Sequence, residues 1–224
     1  MVNQIAYQEI SAALKQSNTS LVAVSKIKPA SDIQQLYDLG QRAFGENYVQ
    51  ELVQKQGELP ADIEWHFIGH LQRNKVKYIA PFVHLIHGID SIKLLEEVNK
   101  EGKKHNRVID CLLQVHIAQE ETKFGFDETD LSRFNDYFEA QQEQLSHVRI
   151  RGLMGMASFS DNEQLVRNEF RQLKQIFELI KGSTFLGKAY FDTISMGMSG
   201  DYQLAIEEGA TMVRIGSLLF GRRN

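Results

Sequence analysis

The sequence predicts an α/β protein in which a single (β/α)8 barrel domain spans residues 1–224. Short β-branched or aromatic runs alternate with amphipathic stretches along the chain, which is typical of a parallel sheet covered by helices. Several runs are apolar with little alternation, as in strands that are buried on both faces. An open, doubly wound sheet is the alternative, because the number of strands does not prove closure. The eight predicted strands are residues 20–25, 42–45, 64–68, 84–87, 109–117, 148–154, 191–195 and 212–215.

Amphipathic stretches between the strands indicate the helices. One apolar stripe runs up to Gly182, which is expected to end its helix in a left-handed conformation. Ser31 and Gln34 fit a capping box at the start of another helix. A helix over residues 4–15 is expected to cover the barrel beside the eighth strand, because few residues follow that strand. The apolar stripe consists of Val166, Phe170, Leu173, Phe177 and Ile180.

Composition and charge exclude several classes of function. The formal net charge is −4, so the chain lacks the basic excess that binds nucleic acid or an anionic membrane surface. No stretch has the length of a membrane span, and residues 1–16 lack the apolar run of a signal peptide. A cytoplasmic location is therefore expected. The single cysteine, Cys111, lies in an apolar run and is expected to be a small buried hydrophobe in a reducing compartment.

A lysine at the end of the first predicted strand is the main candidate for chemistry. The active sites of such barrels gather at the carboxyl ends of the strands, and Lys26 directly follows its strand. A partly desolvated, neutral lysine amine at the barrel mouth can attack an aldehyde. A lysine that merely ends the strand and reaches solvent is the alternative reading of this residue.

Two turns that favour anions follow the seventh and eighth predicted strands, where phosphate sites of such barrels often lie. Ser195 begins the first turn, and Ser199 is expected to be the N-cap of a short helix. Gly216 and Ser217 form the second turn and offer backbone N–H groups. Ordinary turn chemistry explains either turn alone. With Lys26 they fit a phosphorylated aldehyde cofactor, or equally a sugar phosphate held as a Schiff base by an aldolase-like enzyme.

Four histidines lie in or next to the third and fourth predicted strands. His66 and His70 are four residues apart, but the zincin helix motif is absent. His84 and His87 belong to the fourth predicted strand. Packed or hydrogen-bonded histidines are expected in this region, and no metal site is predicted.

Seven segments of the chain are distinctive enough to compare with known families. They are VAVSK (22–26), FGENYVQE (44–51), WHFIGHLQRNK (65–75), TKFG (122–125), RGLMGMA (151–157), SMGMS (195–199) and VRIGS (213–217). In this order they resemble the motifs of the pyridoxal phosphate homeostasis proteins, over nearly the whole chain. The resemblance implies a fold-type III pyridoxal-phosphate barrel, related to the N-terminal domain of alanine racemases but without their C-terminal β domain.

The same resemblance implies that Lys26 holds pyridoxal 5′-phosphate as an internal aldimine. Arg214 would face the pyridine nitrogen, and the turns that contain Ser199 and Gly216 would take the phosphate. This chain departs from the family in having Ile27 close to a usual threonine position and serine at a frequent threonine position, residue 217. The implied cofactor-binding residues are Lys26, Asn47, Ser195, Ser199, Arg214, Gly216 and Ser217.

A non-catalytic carrier or regulator of the vitamin B6 pool, with effects on amino- and keto-acid pools, is the function that the resemblance implies. Arg214 only donates hydrogen bonds, so a pyridine nitrogen facing it must accept and becomes a weaker electron sink. The related racemases take a second base from a further domain, for which no room is expected here. A slow amino-acid racemase is the alternative, with Tyr48 or His70 as the substitute base.

Partners follow from the same interpretation. The expected ligand is pyridoxal phosphate, the expected recipients are acceptor apo-enzymes, and the chain is expected to be a monomer that binds neither nucleic acid nor membranes. Lys75 and Lys123 are candidates for holding a second cofactor molecule.

Overall fold

The computed structural model describes residues 2–119 and 124–221. Its strands form one closed parallel barrel in the order β1 to β8, and β8 pairs with β1 through Leu21 and Val213. The fold-class prediction is therefore confirmed, and the open sheet is excluded. The strands are β1 (Ser20–Val24), β2 (Ala43–Glu46), β3 (Glu64–Phe67), β4 (Leu85–Ile89), β5 (Ile109–Val115), β6 (Val148–Gly155), β7 (Thr193–Ser195) and β8 (Met212–Ile215).

Helices alternate with the strands and cover the barrel. They are α1 (Gln4–Gln16), α2 (Ala30–Asp38), α3 (Val49–Glu58), α4 (Val76–Ile79), α5 (Ile92–Lys104), α6 (Glu128–Gln141), α7 (Glu163–Gly182), α8 (Tyr202–Glu207) and α9 (Ser217–Phe220). A 3-10 turn, Arg73–Lys75, precedes α4. Within the described residues, no helix is long and apolar enough to cross a membrane.

The N-terminal helix lies where the sequence placed it. It contacts both β1 and α9, the short helix that follows β8. The backbone N–H of Asn3 donates to the carbonyl of Leu219 at 2.8 Å. α1 thus covers the seam at which the barrel closes, because α9 alone is only four residues long.

Two predicted helix ends are wrong. α7 contains Gly182 as its last residue, and Ser183 caps it with φ −119°, so no left-handed glycine ends this helix. The hydroxyl of Ser183 instead donates to the carbonyl of Leu179 at 2.8 Å and satisfies the helix end. α2 begins at Ala30 after Pro29, so Ser31 is already helical and cannot be the N-cap.

The core consists of the barrel interior and the layer between the strands and the helices. The helices bury apolar stripes against the strands, and the stripe of α7 is buried as predicted. Phe185 stacks on Phe191 with ring centroids 4.3 Å apart, beneath α7. Cys111 is fully buried in β5, as expected from its apolar surroundings.

Candidate functional site

A cavity of about 360 Å³ opens at the carboxyl ends of the strands. Because β1 pairs with β8, the residues after these two strands meet at one edge of the barrel. Six of the seven predicted site residues line this cavity, and only Ser195 does not. The six are Lys26, Asn47, Ser199, Arg214, Gly216 and Ser217.

Lys26 lies two residues after β1 and is half-buried in the cavity wall. The next residue, Ile27, adopts a left-handed φ of 61° although it is β-branched, which is a rare and costly conformation. Its backbone N–H donates to Oε1 of Glu51 at 2.6 Å. This hydrogen bond stabilises the strained conformation of Ile27. That conformation fixes the orientation of the neighbouring Lys26 at the end of β1.

A buried ionic cluster lies directly behind the Lys26 turn. The ammonium of Lys55 donates to the Glu46 carboxylate at 2.7 Å, to the Glu51 carboxylate at 2.6 Å and to the Ser25 carbonyl at 2.8 Å. The hydroxyl of Ser25 also donates to Glu46 at 2.6 Å. Burial raises the pKa of Glu46, and the ammonium of Lys55 opposes this shift. The cluster ties β1, β2 and α3 together around Lys26.

Arg214 forms the floor of the cavity at the end of β8 and is 4% exposed. Its guanidinium donates to the Ser195 carbonyl at 2.8 Å, to the Ser195 hydroxyl at 2.7 Å and to the Gly155 carbonyl at 3.1 Å. Burial lowers the pKa of Arg214 to about 10, so the group stays charged at neutral pH. These bonds use three of its five donors and hold its plane in place.

A chain of buried polar side chains leads from Arg214 into the barrel. Nδ1 of His87 lies 3.1 Å from the Ser195 hydroxyl, and Nε2 of His87 lies 2.9 Å from Nδ1 of His66. Burial lowers the pKa of His66 to about 3 and that of His87 well below its usual value, so both rings are neutral at pH 7. Ser195 therefore positions Arg214, whereas the sequence placed it near a phosphate.

The two predicted anion turns meet at one hydrogen bond, in which Gly216 N–H donates to the hydroxyl of Ser199 at 3.2 Å. Ser199 is not the N-cap that the sequence predicted, because α8 begins at Tyr202 after Asp201. The carboxylate of Asp201 instead accepts from Met198 N–H at 2.5 Å and closes the loop over the helix start. Ser217 is exposed at the start of α9.

Asn47 follows β2 and lines the cavity. Its Oδ1 is buried and has no hydrogen-bond partner among the described residues. The backbone of Gly69 packs so closely on Asn47 that a Cβ at Gly69 would collide with the Asn47 carbonyl oxygen and lie 2.8 Å from its Cα. A glycine is therefore required after β3 to hold Asn47 at the cavity.

Comparison with known proteins decides the family. The alanine racemase N-terminal domain family matches residues 6–224. A pyridoxal phosphate homeostasis protein of Aquifex aeolicus is 41% identical over 204 residues, which cover 91% of this chain and 86% of the relative. The chain belongs to the pyridoxal phosphate homeostasis protein family.

Two further relatives of this family are similar over almost their whole length. The homeostasis protein of Haemophilus influenzae is 38% identical, with 97% of this chain and 92% of the relative covered. The structure of PipY from Synechococcus elongatus PCC7942 with PLP bound is 36% identical, with a TM-score of 0.83. That match covers 95% of this chain and 99% of PipY.

Several residues that were predicted to take part in catalysis or in binding a second cofactor molecule are not among the described residues that line the cavity. Tyr48 is exposed before α3, and His70 pairs with Asp90 at 3.0 Å and stacks on Phe124 at 4.1 Å. Lys75 lies near the Tyr78 ring in a separate groove between α3 and α4. Thr122 and Lys123 of the predicted TKFG motif are outside the described residues.

Several residues that support the site were not predicted from the sequence. Lys55, Glu51 and Ser25 fix the Lys26 turn, and His87 supports Ser195. The spacing of Glu51 and Lys55, four residues apart on α3, was a signal for an ion pair. Nothing local in the sequence showed that this pair turns toward the barrel.

Proposed function

We propose that this chain binds pyridoxal 5′-phosphate through a Schiff base to Lys26 and contributes to intracellular vitamin B6 homeostasis as a carrier or regulator, without robust catalysis. The observation that carries the proposal is one cavity that combines a lysine amine, a fixed guanidinium and two adjoining turns. The names of the relatives and the PLP-bound structure of PipY support the same cofactor.

The cavity suits a phosphorylated aromatic aldehyde. Its volume of about 360 Å³ falls within the usual range for sites of small ligands. Oδ1 of Asn47 is buried and has no hydrogen-bond donor among the described residues, so it is an acceptor available to a ligand. A Cβ at Gly216 would lie 3.2 Å from the Val24 carbonyl oxygen, which is a tight contact. Glycine at this position therefore lets the turn after β8 pack closely against β1. These features fit the group that the family binds.

The proposed roles of the residues follow from their chemistry. Lys26 supplies the primary amine that anchors the aldehyde, and the bound cofactor supplies the electron sink of pyridoxal chemistry. In this proposal Ser199, Gly216 and Ser217 donate hydroxyl and backbone N–H groups to the phosphate, and Gly216 N–H exchanges its bond to the Ser199 hydroxyl for one to the phosphate. In this proposal Arg214, which lines the cavity, donates to the ring nitrogen.

Carriage is favoured over catalysis by Arg214. A guanidinium whose pKa is about 10 stays protonated at neutral pH, so it keeps a facing ring nitrogen as an acceptor and weakens the electron sink. Tyr48 and His70, the candidates for a second base, are not among the described residues that line the cavity. Both observations lower the expected rate of a two-base racemisation.

Visible absorbance of the purified protein tests cofactor binding. The wild type is expected to be yellow with a Schiff-base band that borohydride removes, and Lys26→Ala is expected to lack the band. Lys75→Ala is the matched control and keeps the band, because Lys75 lies in a different groove. A colourless protein that takes up no pyridoxal phosphate would contradict the proposal and favour the sugar-phosphate lyase.

Proton exchange separates the carrier from the slow racemase. The protein is incubated with amino acids in deuterated water, and loss of the α-proton signal is followed by NMR. The carrier predicts exchange no faster than free pyridoxal phosphate produces. Exchange at an enzymic rate that Lys26→Ala abolishes would establish the racemase instead.

A bacterial strain that lacks its own homologue tests the role in homeostasis. Expression of the wild-type chain is expected to restore the vitamin B6 pools of this strain, and expression of Lys26→Ala is not. Equal restoration by both proteins would show that the role in vitamin B6 homeostasis does not require the Schiff base to Lys26.

A further inference from the structure

A second cavity, of about 160 Å³, lies at the opposite end of the barrel. It is lined by the first residues of several strands, among them Ser20 of β1, Glu64 of β3 and Met212 of β8. The proposed cofactor cavity lies at the carboxyl ends of the strands, so the two cavities do not share an opening.

Three potential metal ligands converge in this second cavity. Glu64, His66 and His84 each offer a ligand atom, and all three atoms lie within 4.8 Å of one another. Glu64 and His66 are two residues apart on β3, so they project from the same face of the strand. The backbone N–H of His84 donates to the Trp65 carbonyl at 2.8 Å, which places His84 beside both.

His66 provides the observation that points to a ligand. Its side chain is 2% exposed, and its Nε2 has no hydrogen-bond partner among the described residues. An orphaned ring nitrogen in a buried site costs free energy unless something binds it. Its other nitrogen, Nδ1, bonds to Nε2 of His87 at 2.9 Å. Histidine ligands of metals characteristically have such a second partner, which fixes the tautomer and the orientation of the ring.

The charges around the cavity are compatible with a cation. Arg151 also lines it, but its guanidinium donates to the carboxylates of Asp110 and Asp192 at 3.0 and 3.1 Å. Its charge is thus offset by two carboxylates. Glu64 and His84 are exposed side chains, so they can move the short distance that metal coordination requires.

We propose that Glu64, His66 and His84 form a site for a first-row transition metal of the Zn²⁺ class. Two imidazoles and one carboxylate are a ligand set that zinc accepts, and a water molecule would complete the tetrahedron. Ligand atoms about 3.4 Å apart are expected once bonds of 2.0–2.1 Å form, so the three side chains close around the ion. His66 is the fixed ligand, and Glu64 and His84 close onto it.

Titration calorimetry with zinc chloride tests the site on the full chain, after dialysis against EDTA and without a polyhistidine tag. One Zn²⁺ per chain is expected to bind, and Mg²⁺ is not, because two imidazoles suit a softer ion. His84→Ala is expected to weaken zinc binding at least tenfold. The matched control is His105→Ala, an exposed histidine at the end of α5, and it keeps the wild-type affinity.

Three outcomes would overturn the proposal. The first is the absence of zinc binding to the wild type. The second is zinc binding that persists unchanged in the Glu64→Gln, His84→Ala double variant, whose substituted side chains are exposed and do not threaten folding. The third is equal weakening by His105→Ala. Lys26→Ala is expected to bind zinc like the wild type, so this result is independent of the cofactor proposal.

Discussion

The guanidinium of Arg214 donates to both oxygens of Ser195, to the hydroxyl at 2.7 Å and to the carbonyl at 2.8 Å. The same hydroxyl contacts Nδ1 of His87 at 3.1 Å. One small side chain at the end of β7 thus fixes the orientation of the cation on the cavity floor. Ser195 is fully buried, and buried polar atoms require hydrogen-bond partners.

Replacing Ser195 by alanine should loosen Arg214. Two buried groups lose a partner, so the free energy of unfolding is expected to fall by about 1–3 kcal/mol in urea titrations. Affinity for pyridoxal phosphate should fall as well, measured by the Schiff-base band. Ser146→Ala, which removes an exposed hydroxyl outside the helices and strands, should change stability by less than about 0.5 kcal/mol. Equal stability of Ser195→Ala and wild type would show that Arg214 does not depend on this hydroxyl.

Replacing Lys55 by methionine should be strongly destabilising. The change leaves the Glu46 carboxylate, which is fully buried, without its cation, and breaking a buried ion pair costs about 3–5 kcal/mol. Urea or thermal unfolding measures the loss. Lys100→Met is the control, because its ion pair with Glu97 is exposed to solvent and contributes little to stability. A loss no larger than that of the control would mean that the buried cluster does not hold the Lys26 turn.

Replacing Gly69 by alanine should displace Asn47. The added Cβ would meet the Asn47 backbone, so we expect a loss of about 1–3 kcal/mol in unfolding free energy and weaker cofactor binding. Gly57→Ala is the matched control, since it lies within α3 with no atom near its Cβ. That change should stabilise the protein by about 0.5–1 kcal/mol. Wild-type cofactor affinity in Gly69→Ala would argue against a role of Asn47 in the site.

Cys111 should resist thiol reagents in the folded protein. Burial raises its pKa well above the usual value, and neighbouring Asp110 adds to the shift, so the thiolate is scarce even at mildly alkaline pH. At pH 8 a disulfide reagent should react roughly tenfold or more slowly than in urea. A double variant, Cys111→Ala with Ser146→Cys, places the thiol on the surface and should react fast. Rapid reaction of native Cys111 would show that β5 opens readily.

The barrel was predictable because its signals are local. Each strand is a short apolar run, and each helix repeats its apolar residues with its own period. Predicted and observed strands therefore agree within two residues at each end. β8 (Met212–Ile215) was predicted with its observed bounds, whereas β7 begins at Thr193 rather than 191. The predicted left-handed Gly182 failed because the hydroxyl of Ser183 satisfies the end of α7 instead.

Five of the proposed cofactor residues were predictable for a similar reason. Lys26, Asn47, Ser199, Gly216 and Ser217 lie beyond strand ends, and closure of a parallel barrel brings all such ends to one mouth. Arg214 lies within β8 and was implied by the family resemblance alone. Ser195 also lies at a strand end, but its side chain points to Arg214 inside the barrel.

The sequence by itself determined the barrel, the position of Lys26 at its mouth and the turns that line the cavity. The tertiary structure alone decided which buried polar groups pair, such as Ser195 with Arg214 and Lys55 with Glu46. It also brought His84, which directly precedes β4, to His66 on β3. Periodicity is a property of consecutive residues, whereas a buried hydrogen bond depends on the side-chain directions of residues far apart in the chain.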